Sequence, residues 1–197
     1  MNALAEKIVK DYGRIDGLVV ATMCKPEHYY APLGKYTAKT FNEVLSGNLT
    51  AAFLAMQVCA PCMPEGSAAV LISSTYGVGS PDQRLYQGCK PGGNIYGKEY
   101  SLNAPASYTA SKAGILGLGK HLATAYAEKG IRVNILTPGG VYDGQEESFH
   151  REYVSRTPLG RMAVWSDYSG AILFLLSPAS RYMTGSNLIV DGGWTCW

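Results

Sequence analysis

Apolar positions along the chain recur with two different spacings. Leu4–Tyr12 has helical spacing and is followed by Gly13, a residue that ends a helix cheaply in the left-handed conformation. Gly17–Thr22 (GLVVAT) is a short, almost continuously apolar run, as expected of a strand buried on both faces. Thr37 is a natural N-cap for a second helix. Phe41, Val44, Leu45, Leu49, Ala52, Phe53 and Met56 form its apolar stripe. Asn48 falls on that same stripe. Ser67–Ile72 predicts another buried strand, and residues 75–107 follow as a long polar, Gly/Pro-rich inserted loop. A third helix is predicted from Pro105 to Gly130, then a strand over Ile131–Leu136 stopped by Pro138 and Gly139. Beyond a loop carrying Thr157–Arg161, Ser166 starts a helix that runs to Leu176, and Asn187–Val190 is the last strand. Strands alternating with helices predict an α/β fold with a parallel sheet, organised as one domain over residues 1–197.

Composition narrows the picture. A length of 197 residues suits one domain, and 47% hydrophobic residues exclude a disordered chain. A net charge of +2 with no basic cluster argues against nucleic acid as a partner. Charged residues are 16% of the chain, below the usual ~25%, which suggests surface that becomes covered. The longest apolar runs, such as Ala51–Met56 and Ala171–Leu176, fall short of the ~20 residues of a membrane span, and the first residues lack the apolar core of a signal peptide. Cys24, Cys59, Cys62, Cys89 and Cys196 are an odd, scattered set, expected to be free thiols in a reducing compartment, by default the cytoplasm.

The candidate chemistry centres on Tyr108 and Lys112. Positions i and i+4 share a helix face, so the phenol sits near an ammonium that favours its ionised form. That would suit the tyrosine to acid/base work near neutrality. Ser74 ends a buried strand, the edge where ligands collect in open α/β sheets. Asn48 is either a structural bridge or part of a polar network, because a buried amide must find partners. Thr137–Gly140 closes the next strand with a tight turn that lets backbone approach a ligand.

Asn48, Ser74, Tyr108 and Lys112 fall in the order of the catalytic tetrad of the short-chain dehydrogenase/reductase family. "NLTAAFLAMQ", "AAVLISS", "SYTASKAGILGLGKHLATAYAEKGIRVNILTPGG", "RTPLGRM" and "AILFLLSPASRYMTGSNLIVDGG" resemble successive segments of that family over nearly the whole chain. The resemblance implies a Rossmann-like three-layer sandwich with a mostly parallel sheet, truncated at its N-terminus. It implies Tyr108 as the acid/base and Ser74 as the group that orients the substrate oxygen. Lys112 would act on the phenol and the nicotinamide ribose, and Asn48 would hold a water in a proton relay. Pro138, Gly139 and Val141 would line the nicotinamide site alongside Tyr108 and Lys112. The implied cofactor is NAD or NADP. The implied partners are a small-molecule substrate and further copies of the chain, as a homodimer or homotetramer built on the Asn48 and Tyr108 helices.

The chain departs from the family pattern in four places. The Thr-Gly-x-x-x-Gly-x-Gly turn that seats the pyrophosphate is absent. The expected Asn-Asn-Ala-Gly is Val20–Met23. Ser74 precedes Tyr108 by 34 positions, more than is usual. Asp143 stands where the family often has Thr. A sheet beginning at Gly17–Thr22 would leave a bare apolar edge, which predicts poor solubility or association. The expected function is an NAD(P)-dependent oxidoreductase interconverting a secondary alcohol and a ketone. The polar, aromatic stretch with Tyr76, Gln83, Tyr86 and Tyr96 points to a sugar or sugar acid. The rival reading is a truncated, non-catalytic relative acting as a dimerisation or interaction module. Gly92–Lys98 imitates a phosphate loop but has Glu99 in place of the required Ser/Thr. Cys59 and Cys62 imitate a redox pair, and with Cys24 and His28 a zinc site, but no metal is expected.

Overall fold

Four apolar runs become four parallel strands: β1 (Gly17–Val20), β2 (Ala68–Ile72), β3 (Arg132–Pro138) and β4 (Asn187–Val190). They lie side by side in chain order. The computed structural model describes residues 2–92 and 99–197. Helices α1 (Asn2–Tyr12), α2 (Ala38–Leu45), α3 (Ala51–Cys59), α4 (Thr75–Val78), α5 (Ala106–Ala125), α6 (Glu147–Ser155) and α7 (Ser169–Leu176) fill the connections.

Strand alternation explains the layers. Ala69 and Leu71 of β2, with Val133 and Ile135 of β3, face Ala52, Met56, Ile115 and Leu122 of α3 and α5. Val70 and Leu136 point the other way, against Tyr168 and Leu175 at α7. With helices on both faces, the sheet is the middle of a Rossmann-like three-layer sandwich. β1 lies at one edge, pairing with β2 alone among the described residues, and its Val19 is exposed.

Several boundaries differ from the sequence pattern for identifiable reasons. The first helix ends where expected, and Gly13 takes up φ +85°. Thr37 caps α2 by accepting from the Thr40 N–H. β1 stops at Val20, two residues short of the apolar run. Pro105 is the extended N-cap of α5, not a helical residue, and α5 ends at Ala125. One further 3₁₀ turn leads to Gly130 in the left-handed region. β3 runs on through Pro138, which as the last strand residue pairs with Val190.

Residues 75–107 are not a plain loop. Ser74 caps α4, and Asp82 caps a 3₁₀ turn over Gln83–Tyr86 by accepting from the Arg84 N–H. Helix α6 was not signalled by the sequence pattern. Among its nine mostly polar residues only Phe149 and Tyr153, four apart, are buried. The Gly92–Lys98 motif and Tyr96 fall largely or wholly on residues 93–98, outside the described residues.

A π-helical turn at Ser46–Thr50 joins α2 to α3, so the helical run over Ala38–Cys62 is long and apolar enough, by composition alone, to cross a membrane. The short apolar runs of the sequence hid that length. Its apolar side belongs to the core: Val44, Ala52 and Met56 are fully buried.

Candidate active site

The C-terminal ends of β1, β2 and β3 and the start of α5 surround a cleft of about 420 Å³. Ser74, Tyr108, Lys112, Pro138, Gly139 and Val141 all line it. Asn48 does not.

Helix α5 positions the central pair. Tyr108 and Lys112 lie one turn apart on one face, with the Lys112 Nζ 5.9 Å from the centroid of the Tyr108 ring. The ammonium donates to the main-chain oxygens of Ile72 (2.9 Å) and Thr22 (3.4 Å), tying α5 to the ends of β2 and β1. Lys112 is 4% exposed, and that burial lowers its pKa to about 8. Burial also dominates at Tyr108, but there it pushes the phenol up, while a hydrogen bond with the Ser74 side chain pulls it back. The spacing of Tyr108 and Lys112 had suggested a lowered phenol pKa. Desolvation prevails instead, raising the phenol and disfavouring the charge of the ammonium beside it.

The two serines after β2 divide their roles. Ser73 Oγ donates to the Lys112 carbonyl at 2.8 Å and pins α5. Ser74 Oγ accepts from the Tyr76 N–H at 3.2 Å, which fixes the hydroxyl beside Tyr108. Gly77 makes this possible. A Cβ there would lie 2.6 Å from the Lys112 carbonyl, so any larger residue would push α4 off α5.

Asn48 is fully buried below the cleft, inside the π-helical turn. Its Oδ1 accepts from the Cys24 N–H at 2.7 Å, and its Nδ2 donates to Ser111 Oγ at 3.0 Å. Ser111 Oγ in turn donates to the Tyr108 carbonyl at 2.8 Å, and Thr22 Oγ1 donates to the Asn48 carbonyl at 3.2 Å. Of the two readings open from the sequence, a bridge or a polar network, the side chain makes a bridge between the loop after β1 and α5.

Among the other lining residues, Lys25 and Tyr153 were missed by sequence reasoning, whereas Asp143, Tyr76 and Tyr86 had been singled out for other reasons. Lys25 and Asp143 line the cleft from the loops after β1 and β3. For Lys25, a position just beyond a strand C-terminus was the only available signal. Tyr153 comes from the unforeseen α6, accepts from the Gly140 N–H at 2.7 Å and stacks on Trp194 with centroids 4.2 Å apart. Tyr76 meets Tyr86 hydroxyl to hydroxyl at 2.8 Å and packs edge-on against Tyr108. Gln83 donates to the Ala104 carbonyl and so braces its own loop. Among the described residues, no three His, Cys, Asp or Glu side chains gather as a metal ion would need.

Comparison with known proteins places these features. The family model described as enoyl-(acyl carrier protein) reductase matches residues 1–94 and 92–195. The NADH-dependent L-xylulose reductase of Ambrosiozyma monospora is 33% identical, over 97% of this chain and 67% of that protein. A short-chain dehydrogenase of Leptospira borgpetersenii, solved with bound NAD+, superposes with a TM-score of 0.82 at 32% identity, covering 98% of this chain and 70% of that one. A gluconate 5-dehydrogenase of Burkholderia cenocepacia, solved with NADP and tartrate, gives a TM-score of 0.80 at 25% identity, covering 100% and 71%. The chain spans about two thirds of the length of the curated relatives it matches.

Proposed function

The chain belongs to the short-chain dehydrogenase/reductase family, and on that premise we propose that it interconverts a secondary alcohol and a ketone with NAD or NADP. The observation that carries the proposal is the corner formed by Ser74, Tyr108 and Lys112, with the Ser74 side chain near enough to the phenol to ease its ionisation at the mouth of β2. Tyr108 gives its proton to a ketone oxygen, or takes one from an alcohol. Ser74 holds that oxygen in line with the phenol.

The residues present fit the nicotinamide end of the cofactor. Tyr108, Lys112, Pro138, Gly139 and Val141 line one cleft. Two of the three Lys112 ammonium protons go to the Ile72 and Thr22 carbonyls, which leaves one for a ribose hydroxyl. A nicotinamide held there supplies or accepts the hydride. The sequence carries no Gly-rich turn for the pyrophosphate, so no contact is assigned to that part.

The substrate side of the proposal is a polyhydroxylated compound, a sugar or sugar acid. The paired hydroxyls of Tyr76 and Tyr86 and the side chain of Asn103 offer donors and acceptors on aromatic walls. The names of the xylulose reductase and the gluconate dehydrogenase point the same way. Partial exposure of Phe53 and Leu54 on α3 supports a homodimer or homotetramer, which sedimentation would reveal as a mass above that of one chain. The free state of all five cysteines supports a cytoplasmic setting.

The test is oxidation of a polyol panel with NAD+ and NADP+ by the parent and by Tyr108→Phe. Turnover by the parent and its loss in the variant is the expected result. Equal turnover by both would remove Tyr108 from the chemistry.

A further inference from the structure

The turn after β3 engages every main-chain polar group of Gly139 and Gly140. The Gly139 N–H donates to the Val190 carbonyl, and the Ala163 N–H donates to the Gly140 carbonyl, each at 2.9 Å. Tyr168 donates its hydroxyl to the Gly139 carbonyl at 2.9 Å, and the Gly140 N–H donates to Tyr153 Oη at 2.7 Å. The two tyrosines differ in one respect. Tyr168 spends its proton on the turn, whereas Tyr153 only accepts. Among the described residues nothing accepts the proton of the Tyr153 O–H. This side chain is 3% exposed and lines the cleft. Stacking on Trp194, 11° from parallel, fixes its ring. Gly140 lets the ring come close, since a Cβ there would lie 2.8 Å from Tyr153 Cζ. With one side of the oxygen taken by Gly140, the proton is turned away from the turn. Burial pushes the phenol up to about 12, and the Gly140 N–H pulls it back, so it stays protonated at neutral pH. Tyr76, Tyr108 and Tyr153 line the same cleft, near enough that charge on Tyr108 would raise both of the others. The Tyr76 hydroxyl is already paired with that of Tyr86. A buried donor without an acceptor is costly, and a ligand oxygen placed here offsets that cost.

We infer that Tyr153 donates a hydrogen bond to a substrate oxygen neighbouring the one that reacts, so that the site selects vicinal diols and α-hydroxy ketones over the matching simple alcohols and ketones. The inference rests on this cleft being the substrate site of the proposed oxidoreductase. Ser74 and Tyr108 hold the reacting oxygen, and Tyr153 holds its neighbour. A substrate with a single oxygen leaves the Tyr153 proton buried and unmet.

Reduction of acetoin and of butanone with NADH and NADPH tests this on the full chain. The two ketones differ by one hydroxyl beside the carbonyl. The parent should favour acetoin in kcat/KM by about tenfold or more, the scale of one hydrogen bond. Tyr153→Phe keeps the stacked ring and should cut that preference about tenfold. Any slackening of the Gly140 turn falls on both ketones alike and leaves their ratio unmoved. Circular dichroism checks that the variant is folded, and the parent's own ratio is a test that needs no variant. Equal kcat/KM for the two ketones in the parent, or a preference that survives in Tyr153→Phe, would overturn the inference. A raised KM for the dinucleotide in Tyr153→Phe, with the preference kept, would overturn it too and give the hydroxyl to the nicotinamide carboxamide. Binding is read separately, by ligand-observed nuclear magnetic resonance. Tyr153-dependent preference for acetoin in binding, with no turnover of either ketone, keeps this inference and ends the oxidoreductase reading. Turnover of both ketones without preference does the opposite. Acetoin that neither binds nor reacts overturns the inference.

Discussion

Two polar regions lie within one helical turn of each other and behave differently. Below the cleft, Asn48, Cys24, Ser111 and Thr22 form a knot in which the hydrogen bonds close on the protein itself. In the cleft wall, Ser74, Tyr108 and Lys112 line the open cavity. Both regions contain groups that are costly to bury. The knot offsets that cost internally and so fixes geometry. The wall leaves part of it for a ligand to offset, and so can do chemistry. Of the four residues that stand in tetrad order, three are in the wall and one is in the knot.

The largest effect that could break this contrast is at Tyr108. Tyr108→Phe removes the proton donor and keeps the ring that packs edge-on with Tyr76. Turnover should fall about 10³-fold, within the range of general acid/base loss. The midpoint of thermal unfolding should move little. Steady-state kinetics and a thermal melt on the same preparation check both halves of the claim.

Asn48 should show the reverse pattern. Asn48→Leu leaves the Cys24 N–H without its acceptor and takes the amide donor from Ser111 Oγ, which keeps its bond to the Tyr108 carbonyl, costing about 3 kcal/mol of stability for one unmet buried donor and one lost buried hydrogen bond. Denaturant unfolding measures it. Activity of the folded fraction should fall far less than in Tyr108→Phe. A loss of turnover as deep as that of the phenylalanine variant, with stability intact, would move Asn48 from the knot into the chemistry.

This contrast also marks what was legible in the sequence. The parallel sheet was, because buried strands such as Ala68–Ile72 are continuous apolar runs that hardly any other structure explains. The Ser74–Tyr108–Lys112 corner was, because Tyr108 and Lys112, four apart, share a helix face, and their order after a strand-end Ser74 resembles the family's. Two things were hidden. The direction of the Tyr108 shift depends on burial, which spacing does not report. Helix α6 is polar except for one short stripe, so Tyr153, which it brings into the cleft, had no periodic signal. Lys25 was legible only as a place in the topology, since nothing in "TMCK" indicates chemistry.

A smaller effect sharpens the wall's side of the comparison. Lys112 titrates near 8 in the folded chain, against about 10.4 when unfolded. Between those values the unfolded chain holds a proton that the folded chain has released, so raising the pH favours folding. From pH 8 to 10 this amounts to about 2 kcal/mol, after which tyrosines raised by burial act in the opposite sense. Lys112→Met should flatten the rise when unfolding free energy is measured across pH 7–10. Lys25 adds a weaker slope of the same sign, so the variant should keep a remnant. A profile identical to the parent's would mean that Lys112 stays charged in the fold.

The smallest predicted effect lies at the seam. Ser111 accepts from Asn48 and donates to the carbonyl of Tyr108, so it belongs to the knot yet touches the helix turn that carries the phenol. Ser111→Ala unties the bridge but leaves the Cys24 contact of Asn48 and the α5 backbone hydrogen bonds in place. Stability should fall by about 1–2 kcal/mol, since the buried Asn48 Nδ2 loses its acceptor. Turnover should fall less than tenfold, with KM near that of the parent. If kcat instead drops a hundredfold while the melt is unchanged, the phenol depends on the knot for its aim at the substrate oxygen. The two regions would then be one device, with Ser111 as the positioning residue between them.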